Sequence, residues 1–594
     1  MIIQFYRERV QLFTREVKAC ERQNNRYAWL RLLILIATIT AGIMSYHFFS
    51  AWVSLASVIG FLALFAICLK KHLYTIEKQQ QKERMQTINQ QELNCLEGDF
   101  SAYEAGYKYE STKHYYSSDL DIFGTHSLFR YMNRTTSPSG SDMLADWLSK
   151  PANTEDIKLR QQAVSELAQK IDLRQEMQTI GLRHKDIDKE LPGFIDWLKS
   201  SSYLPDNCRL LYVMQILPWI TIAAMIISIA GWVPSAFIWP LIILHFLISG
   251  SQLKKVNFRH QQVSNKVEFI STYSELIRLV SNCEFSSAYM VSLRNCFIET
   301  NALQQIQALQ NRIRKLDYRL NMAYIPINIL FFFDYKHLVW LERWRAGAGQ
   351  KIPEWFDNMA KIEALSSFAN MLYNNSDWAM PDVTDDYFRL EAKNMGHPLI
   401  RKKDRVCNNF SLTGAGNIAI VTGSNMSGKS TFERSIGVNM VLALAGAPVC
   451  SGAFTITNCQ LYTYMRIADN LEEQTSSFYA ELKRLKQLID ITNEGHKVFF
   501  LLDEVLRGTN SRDRQIGSMA LVRQLAGQQV SGIIATHDLA LGELEHEFPA
   551  QITNSHFDVQ INGEDMSFDY ILYPGICNSL NASILMKKIG IEVK

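Results

Sequence analysis

The 594-residue sequence has little net charge and no cysteine pattern. Its formal net charge is +2, so composition alone indicates neither a nucleic-acid binder nor a protein with acid-rich partners. The ten cysteines include no Cys-x-x-Cys pair and no zinc-ligand spacing, so we expect free, mostly buried thiols. Internal repeats and low-complexity tracts are absent, which excludes a repeat architecture. A chain this long exceeds the size of a single core, and its length predicts several domains.

Two long stretches lack charged residues altogether. Residues 32–69 and 210–253 contain no Asp, Glu, Lys or Arg. Because a membrane-spanning helix needs about 20 mostly apolar residues, each stretch is long enough for two spans and a tight turn. We expect the turns near Ser45-Tyr46-His47-Phe48 and Gly231-Trp232-Val233-Pro234. The alternative is two buried hairpins in a soluble protein, and it is disfavoured because core helices rarely run this long without charge.

Basic residues lie at the outer ends of both stretches, and the two turns contain none. The flanking residues are Arg22, Arg26, Arg31, Lys70, Lys71, Arg209, Lys254, Lys255 and Arg259. By the positive-inside rule, both hairpins enter the membrane from the cytoplasmic side. The sequence therefore predicts a multi-pass protein of the inner (cytoplasmic) membrane whose large segments lie in the cytosol. Anionic lipid headgroups suit the flanking cations.

A glycine-rich loop follows an apolar segment in the last third of the chain. Residues 417–422 are typical of a buried strand, and residues 431–444 have helical composition. Between them lies the loop Gly423-Ser424-Asn425-Met426-Ser427-Gly428-Lys429-Ser430-Thr431. A strand, a glycine loop and a helix form the context in which backbone amides bind phosphate. The pattern predicts ATP binding, with Lys429 at the β- and γ-phosphates and Ser430 as a ligand of Mg²⁺.

Two further apolar strands end in polar residues. Residues 497–502 are followed by Asp503 and Glu504, and residues 532–536 are followed by His537. This arrangement suits Asp503 for the Mg²⁺ shell and Glu504 for positioning the attacking water. A histidine at a neighbouring strand end is suited to contact the γ-phosphate. We therefore predict an Mg²⁺-dependent ATPase with Lys429, Glu504 and His537 as catalytic residues.

These motifs resemble those of the MutS mismatch-repair ATPase family. Asn425 and Met426 before Gly428-Lys429-Ser430-Thr431 are similar to that family's loop. The other matching segments are Ser476-Ser477-Phe478-Tyr479-Ala480-Glu481, Asp503-Glu504-Val505-Leu506-Arg507-Gly508-Thr509-Asn510, Ala535-Thr536-His537, Gly396-His397-Pro398-Leu399, Asn408-Asn409 and Asn554-Ser555-His556-Phe557. Segments around residues 121–164 and 363–369 resemble the helical core of the same family.

The resemblance implies a doubly wound α/β ATPase domain of the ABC type, preceded by an all-α core. It also implies a homodimer with two composite sites, in which Ser476 reaches the partner's nucleotide. Combined with the membrane hairpins, it divides the chain into seven parts. They are an N-terminal cytosolic helix (1–31), hairpin 1 (32–69), a linker helix (70–114), the first part of the core (115–205), hairpin 2 (210–253), the second part of the core (254–380) and the ATPase domain (381–594).

The sequence departs from the family pattern where DNA would be read. The 31 residues before hairpin 1 are too few for a mismatch-reading domain, and we interpret Phe297-Ile298-Glu299 as a chance match to its motif. The lever helices, the DNA clamp and the C-terminal helix-turn-helix extension are also expected to be absent, and the residue that stacks on adenine is not identified. The best basic candidates for DNA contact are Arg130, Arg134, Arg312, Arg314, Lys315 and Arg319, although such runs are usually solvated helix faces.

Two hypotheses therefore remain open. In the first, a membrane-anchored MutS-type ATPase acts on DNA, in a role related to mismatch repair, and ATP switches the dimer. In the second, the ATPase moves its hairpins or a protein partner and does not bind DNA. An ABC transporter is disfavoured because four short spans form a small translocation unit and Ser476-Ser477-Phe478 is not a transporter signature. A binding module with a dead ATPase is disfavoured because Lys429, Asp503 and Glu504 are all present.

Overall fold

The computed structural model describes residues 1–183, 187–200, 208–263, 267–318, 324–386, 388–424, 426–466, 477–562 and 565–577. The helices are α1 Ile2–Phe48, α2 Ala51–Leu96, α3 Leu128–Met132, α4 Pro138–Ser149, α5 Thr154–Gln169, α6 Ile171–Gly181, α7 Ile187–Lys199, α8 Cys208–Ile229, α9 Ile238–Val263, α10 Val267–Ser281, α11 Ala288–Glu299, α12 Ala302–Asp317, α13 Tyr324–Phe331, α14 Phe333–Ala346, α15 Ile352–Asn374, α16 Lys429–Ala445, α17 Ser477–Asn493, α18 Ser511–Gly527 and α19 Leu544–Glu547. The strands are β1 Asp382–Thr384, β2 Arg389–Met395, β3 Asn408–Thr413, β4 Ile418–Thr422, β5 Ala453–Thr457, β6 Gln460–Tyr464, β7 Val498–Asp503, β8 Ser531–Thr536, β9 Ile552–Phe557, β10 Gln560–Asn562, β11 Asp565–Ser567 and β12 Leu572–Pro574.

Hairpin 1 is the tip of a much longer pair of antiparallel helices. Helices α1 and α2 have 47 and 46 residues, so each is about 70 Å long at 1.5 Å per residue. The turn was predicted slightly too early in the chain, because residues 45–48 still belong to α1. The connection lies at Phe49 and Ser50, where Ser50 is extended and its hydroxyl caps α2 by accepting from the Val53 amide.

Hairpin 2 consists of α8 and α9, and its turn is where the sequence predicted it. Gly231 has φ +79°, a left-handed conformation that favours glycine. Within the described residues, four helical segments are long and apolar enough to cross a membrane by length and composition. They are Ile2–Phe48, Ala51–Leu96, Arg209–Ile229 and Ser235–Lys254. Most of the apolar side chains in these segments are exposed rather than packed inside the protein.

The helical core is built around α15. Its apolar side chains are fully buried on several faces, as Trp355, Ile362 and Phe368 illustrate. Helix α15 packs against α4, α5 and α11. Helix α16 also contacts α4 and α5, so the helical core packs against the helix that follows the phosphate-binding loop. All nine cysteines whose side chains the structure describes are free, and six of them are buried, as expected.

A six-stranded sheet carries the predicted strands in the order β12-β9-β4-β8-β7-β6, and β12 alone in this sheet is antiparallel. Strands β4, β7 and β8 are buried along their whole length, as expected for parallel strands covered on both faces. Alternate residues face different cores: Val421 packs on the α16 side, and Ile420 packs towards α17 and α18. A second sheet, in the order β1-β5-β2-β3, was not predicted from the sequence.

Candidate functional site: a phosphate-binding loop with two carboxylates

The glycine-rich loop lies at the carboxyl end of β4, between β8 and β9. In open α/β sheets, loops at these strand ends form the ligand-binding crevice. The loop ends at Gly428, whose φ of +105° favours glycine, and α16 begins at Lys429. The amino end of α16 therefore faces the crevice, where unpaired amides and the helix dipole favour an anion.

Lys429 and Ser430, the first two residues of α16, contact different parts of the site. The Lys429 ammonium donates hydrogen bonds to the carbonyl oxygens of Gly423 and Ser424, over 2.7 and 2.8 Å. Burial lowers the pKa of Lys429, although nearby carboxylates oppose this shift. The Ser430 hydroxyl donates a hydrogen bond to Asp503 Oδ2 over 2.5 Å. Because Asp503 ends β7, two distant segments place a hydroxyl and a carboxylate side by side.

Buried polar atoms around the loop have no hydrogen-bond partner within the described part of the chain. They are the hydroxyl oxygens of Ser424 and Ser427 and Oδ1 of Asp503. These residues line a cavity of about 710 Å³ that also includes Met426 and Thr431. Small-molecule sites have volumes of roughly 300–1,000 Å³. A triphosphate with Mg²⁺ fits this donor set, because amides and an ammonium suit phosphate oxygens and the hydroxyl and carboxylate suit a hard cation.

The Glu504 carboxylate lies between the side chains of His537 and Arg507 at the edge of this cavity. The Glu504 backbone is left-handed, with φ +51°, a strained conformation that often marks a functional residue. His537 Nδ1 lies 3.3 Å from Oε1, and Arg507 Nε lies 3.1 Å from Oε2. The Glu504 amide donates to the Ala535 carbonyl over 2.9 Å, which fixes the backbone next to β8. The carboxylate is thus positioned to accept a proton from a water at the cavity.

A third carboxyl group lies behind the loop. Glu433 on α16 is fully buried, and its Oε1 accepts a hydrogen bond from the Ala535 amide over 3.0 Å. Burial, together with the charge of Asp503, raises the pKa of Glu433 well above its ordinary value. Ala535 therefore joins Glu433 through its amide and Glu504 through its carbonyl. This residue links the loop helix to the proposed water-positioning carboxylate.

Helix α17 contacts the turn that follows Glu504. A Cβ on Gly508 would lie 2.8 Å from Phe478 Cβ, so only glycine allows this close approach. Glu481 is buried and accepts a hydrogen bond from the Leu506 amide. A displacement of α17 would therefore be transmitted to the turn next to the carboxylates.

Residues from two other segments complete the cavity wall. His397 lines the cavity, and burial with the charges of Arg434 and Arg405 lowers its pKa to about 4, so it is neutral at pH 7. Tyr570 lies against the loop, because a Cβ on Gly428 would be 3.0 Å from its ring. The Tyr570 side chain is half-exposed at the cavity and offers an aromatic face for stacking.

The structure brings together the predicted site residues that it describes. They are Gly423, Ser424, Met426, Ser427, Gly428, Lys429, Ser430, Thr431, Asp503, Glu504 and His537. Asn425 and Ser476 lie outside the described residues. Sequence reasoning missed Arg507, Glu433 and Tyr570 as site residues. Arg507 could have been found from the sequence, because it follows Glu504 by three residues in the same motif. Tyr570 is far from the loop in the sequence, and only the fold brings it to the site.

Three of the arginines considered for DNA contact have partners within the protein, namely Arg130, Arg134 and Arg312. Arg134 is buried and forms an ion pair with Glu92, so it is not available to DNA in this structure. Arg130 donates to the backbone carbonyls of Ser101, Tyr103 and Thr125. Arg312 lies 3.0 Å from His337 Nδ1, and Arg314 and Lys315 are exposed. Arg319 lies outside the described residues, and Phe297 is buried in the core.

Two family profiles match the chain. MutS domain III matches residues 112–211, which include the first helices of the core. MutS domain V matches residues 419–590, which include the phosphate-binding loop and both carboxylates. MutS domain V has an ABC-like ATPase fold, in agreement with the sheet described above.

Curated relatives are similar to part of the chain. The DNA mismatch repair protein MutS of Persephonella marina is 28% identical over 294 residues, which is 49% of this chain and 31% of that protein. MutS protein homolog 4 of Homo sapiens is 26% identical over 336 residues, 54% of this chain and 34% of that protein. MutS of Thermotoga maritima is 30% identical over 242 residues, 40% of this chain and 28% of that protein. The matches thus span about a third of the length of these relatives. Two domain profiles and these relatives agree, so the chain carries MutS-type domains III and V at residues 112–211 and 419–590.

Proposed function

We propose that this protein is an Mg²⁺-dependent ATPase that converts ATP and water to ADP and phosphate. The observation that carries the proposal is the convergence of Lys429, Ser430, Asp503 and Glu504 on one cavity. Lys429 neutralises charge on the β- and γ-phosphates. Ser430 and Asp503 hold Mg²⁺, which supplies charge neutralisation to the phosphates when bound. Glu504 positions and deprotonates the attacking water, assisted by His537.

The cavity wall also offers a place for the adenine of ATP. Tyr570 presents an exposed ring beside Gly428, where an adenine could stack on it. Its backbone is anchored by Asn408, whose side-chain amide donates to the Tyr570 carbonyl over 2.9 Å. Tyr570 is therefore our candidate for the adenine-side contact that the sequence did not identify.

The active form in this proposal is a homodimer closed by ATP. Ser476 reaches the nucleotide of the partner, and its position immediately before α17 supports a coupling role. Glu481 and Phe478 join α17 to the turn after Glu504. Closure of the dimer around ATP would therefore be transmitted through α17 to the turn that carries Glu504.

Two hairpins attach the protein to the inner (cytoplasmic) membrane, with the core and ATPase domain in the cytosol. The proposal is supported by four apolar helices whose side chains are largely exposed, for example Trp52 at 80% and Ile229 at 86%. Monomeric soluble proteins rarely expose apolar patches of this extent. The lysines that follow each hairpin, Lys70, Lys71, Lys254 and Lys255, suit anionic headgroups.

The relatives from Persephonella marina and Thermotoga maritima are named DNA mismatch repair proteins, which favours a role related to mismatch repair. In this first candidate function, the dimer binds DNA and ATP switches it between open and closed states. Arg314 and Lys315 are the exposed cations of α12 that remain available for phosphate contact.

A second candidate function dispenses with DNA and uses ATP to move the hairpins or a protein partner. It is favoured by the internal use of Arg130 and Arg134 and by the attachment of hairpin 1 to the core. The base of α2 is joined to the core through Glu92 and Asn89, and the start of α1 through the Tyr6 hydroxyl, which donates to Asn374. A rigid pair of helices would carry core movements to the membrane.

One experiment separates the two candidates. ATP turnover by the detergent-solubilised full chain is measured without DNA and with duplex, mismatched and branched DNA, at low salt because phosphate contacts weaken with salt. Stimulation together with binding supports the DNA function. Turnover that no DNA changes, with no binding at low salt, eliminates it and leaves the second candidate. Absence of turnover under all conditions, with Mg²⁺ and ATP present, contradicts the ATPase proposal itself.

A further inference from the structure

The carboxyl end of β8 fixes two residues of the proposed reaction. The Ala535 carbonyl accepts a hydrogen bond from the Glu504 amide over 2.9 Å, and His537 follows Ala535 by two positions. His537 Nδ1 in turn lies 3.3 Å from Glu504 Oε1. The position of Ala535 therefore determines where the Glu504 backbone lies and where the histidine beside its carboxylate begins.

A buried side chain of α16 holds the amide of Ala535. Ala535 is fully buried, and its amide donates a hydrogen bond to Glu433 Oε1 over 3.0 Å. Glu433 follows Lys429 by four residues, so both lie on the same face of α16, one turn apart. The first turns of this helix thus provide both the ammonium at the phosphate-binding loop and the oxygen that holds the end of β8.

The backbone of Glu504 needs support from its surroundings. Its φ of +51° is unfavourable for a residue other than glycine, and such conformations persist only where neighbouring groups hold them. Arg507 Nε donates to the Glu504 carbonyl over 3.0 Å, but Arg507 belongs to the same turn. Ala535 belongs to a neighbouring strand, so its hydrogen bond fixes this turn relative to the sheet.

Stability does not explain a carboxyl group at position 433. The side chain is fully buried, and its second oxygen, Oε2, has no hydrogen-bond partner within the described residues. Burying a polar group with an unpaired oxygen costs free energy, and unsatisfied groups of this kind are rare in folded proteins. The one hydrogen bond that Glu433 Oε1 forms with Ala535 is therefore the feature that calls for a role.

We propose that Glu433 is a positioning residue for ATP hydrolysis, which acts through Ala535 to hold Glu504 and His537 in register with the phosphates at Lys429. This inference rests on the proposed ATPase function. The role requires an oxygen acceptor at the reach of a glutamate side chain and does not require a negative charge. Without that acceptor the Ala535 amide is buried and unpaired, so the end of β8 shifts to satisfy it.

Three substitutions of Glu433 separate reach from charge. Glu433→Gln keeps an oxygen at the same reach without the charge, Glu433→Asp keeps the carboxyl group but is one methylene shorter, and Glu433→Met offers no oxygen. We expect Glu433→Gln to retain most of the wild-type turnover. Glu433→Asp and Glu433→Met should lose turnover about 10–100-fold, since a misplacement of about 1 Å at a catalytic group can have an effect of this size.

Turnover is measured per competent site in the detergent-solubilised full chain. Equilibrium binding of labelled ATP counts the competent sites and gives the affinity, which should change by less than about threefold because no phosphate contact is removed. A variant that merely folds poorly loses sites and keeps its turnover per site. The matched control is Leu525→Ala, a fully buried change near the end of α18, where the Val530 amide donates to the Leu525 carbonyl before β8 begins. It lies at the opposite end of β8 from the cavity and should keep the wild-type turnover per site.

Each contrary result overturns a defined part. If the wild type binds ATP but shows no turnover with Mg²⁺, the proposed ATPase function fails and this inference falls with it. If the wild type is active and Glu433→Met keeps its turnover per site, the positioning role alone is overturned. The same follows if Glu433→Gln loses as much as Glu433→Asp, if the loss is in ATP affinity, or if Leu525→Ala loses equally. If Glu433→Met forms no competent sites, the comparison of Glu433→Gln with Glu433→Asp decides.

Discussion

The Ser430 hydroxyl and the Asp503 carboxylate are 2.5 Å apart, although 73 positions separate them in the chain. Both oxygens are suited to Mg²⁺, which takes hydroxyl and carboxylate ligands in nucleotide sites. We expect Asp503→Asn to reduce ATP turnover at least about a hundredfold, because the asparagine amide lacks the negative charge with which the Asp503 carboxylate would bind Mg²⁺. Removal of Mg²⁺ with EDTA should abolish wild-type turnover, and added Mg²⁺ should restore it. The control is Asp490→Asn on the exposed face of α17, which should behave as wild type.

The Glu504 carboxylate is predicted to act on the attacking water. Glu504→Gln should still bind ATP, since Lys429 and Asp503 are intact, but hydrolysis should fall by about 10²–10⁴-fold. Equilibrium binding of labelled ATP and single-turnover kinetics measure the two steps separately. Glu494→Gln, an exposed change on the same domain, is the matched control. Undiminished hydrolysis in Glu504→Gln would remove this residue from the mechanism.

The shared dimer site is tested by mixing two inactive variants. Lys429→Ala disables the nucleotide site of its own chain, and Ser476→Ala disables the contribution to the partner. A mixed dimer contains one intact composite site, so a 1:1 mixture that exchanges subunits should regain about a quarter of wild-type turnover. Each variant alone should remain inactive. Complete absence of rescue, with subunit exchange verified, would contradict sharing across the interface.

The buried Glu433 carboxyl makes stability depend on pH. Its pKa is raised in the folded chain, so the folded state keeps this proton where the unfolded state, with an ordinary pKa of 4.5, has released it. The free energy of unfolding therefore falls as pH rises from 4.5 through the folded-state pKa. We expect Glu433→Gln to remove this decrease and to gain stability over wild type as the pH is raised. Denaturant unfolding across this range measures the effect, and Glu494→Gln should keep the wild-type slope.

The ion pair of Arg134 and Glu92 is a structural element. Both side chains are buried, and Arg134→Met would leave Glu92 charged and without its main partner. We expect a loss of about 3–5 kcal/mol in the free energy of unfolding. Arg314→Met on the exposed face of α12 should change stability by no more than about 0.5 kcal/mol. The double variant Glu92→Met with Arg134→Met should recover part of the loss. If Arg134→Met weakens DNA binding while stability is unchanged, the structural interpretation is wrong.

Much of the ATP site was predictable because its parts are local. The strand at 418–422, the loop and the start of α16 follow one another in the sequence, and backbone geometry links their spacing to phosphate binding. The same applies to Asp503 and Glu504 at the end of an apolar strand. The turn at 45–48 was misplaced, because an apolar helix carries no local signal for its end until Ser50 provides a cap.

The sequence by itself determined the phosphate loop, the two carboxylates and the apolar stretches, since each is a contiguous pattern. Only the tertiary structure decided that Tyr570 adjoins Gly428 and that Ala535 joins Glu433 to Glu504. It also decided that Arg134 is buried and that α13 packs against hairpin 2. These relationships depend on strand order and helix packing, which bring together residues far apart in the chain and leave no fixed spacing to read.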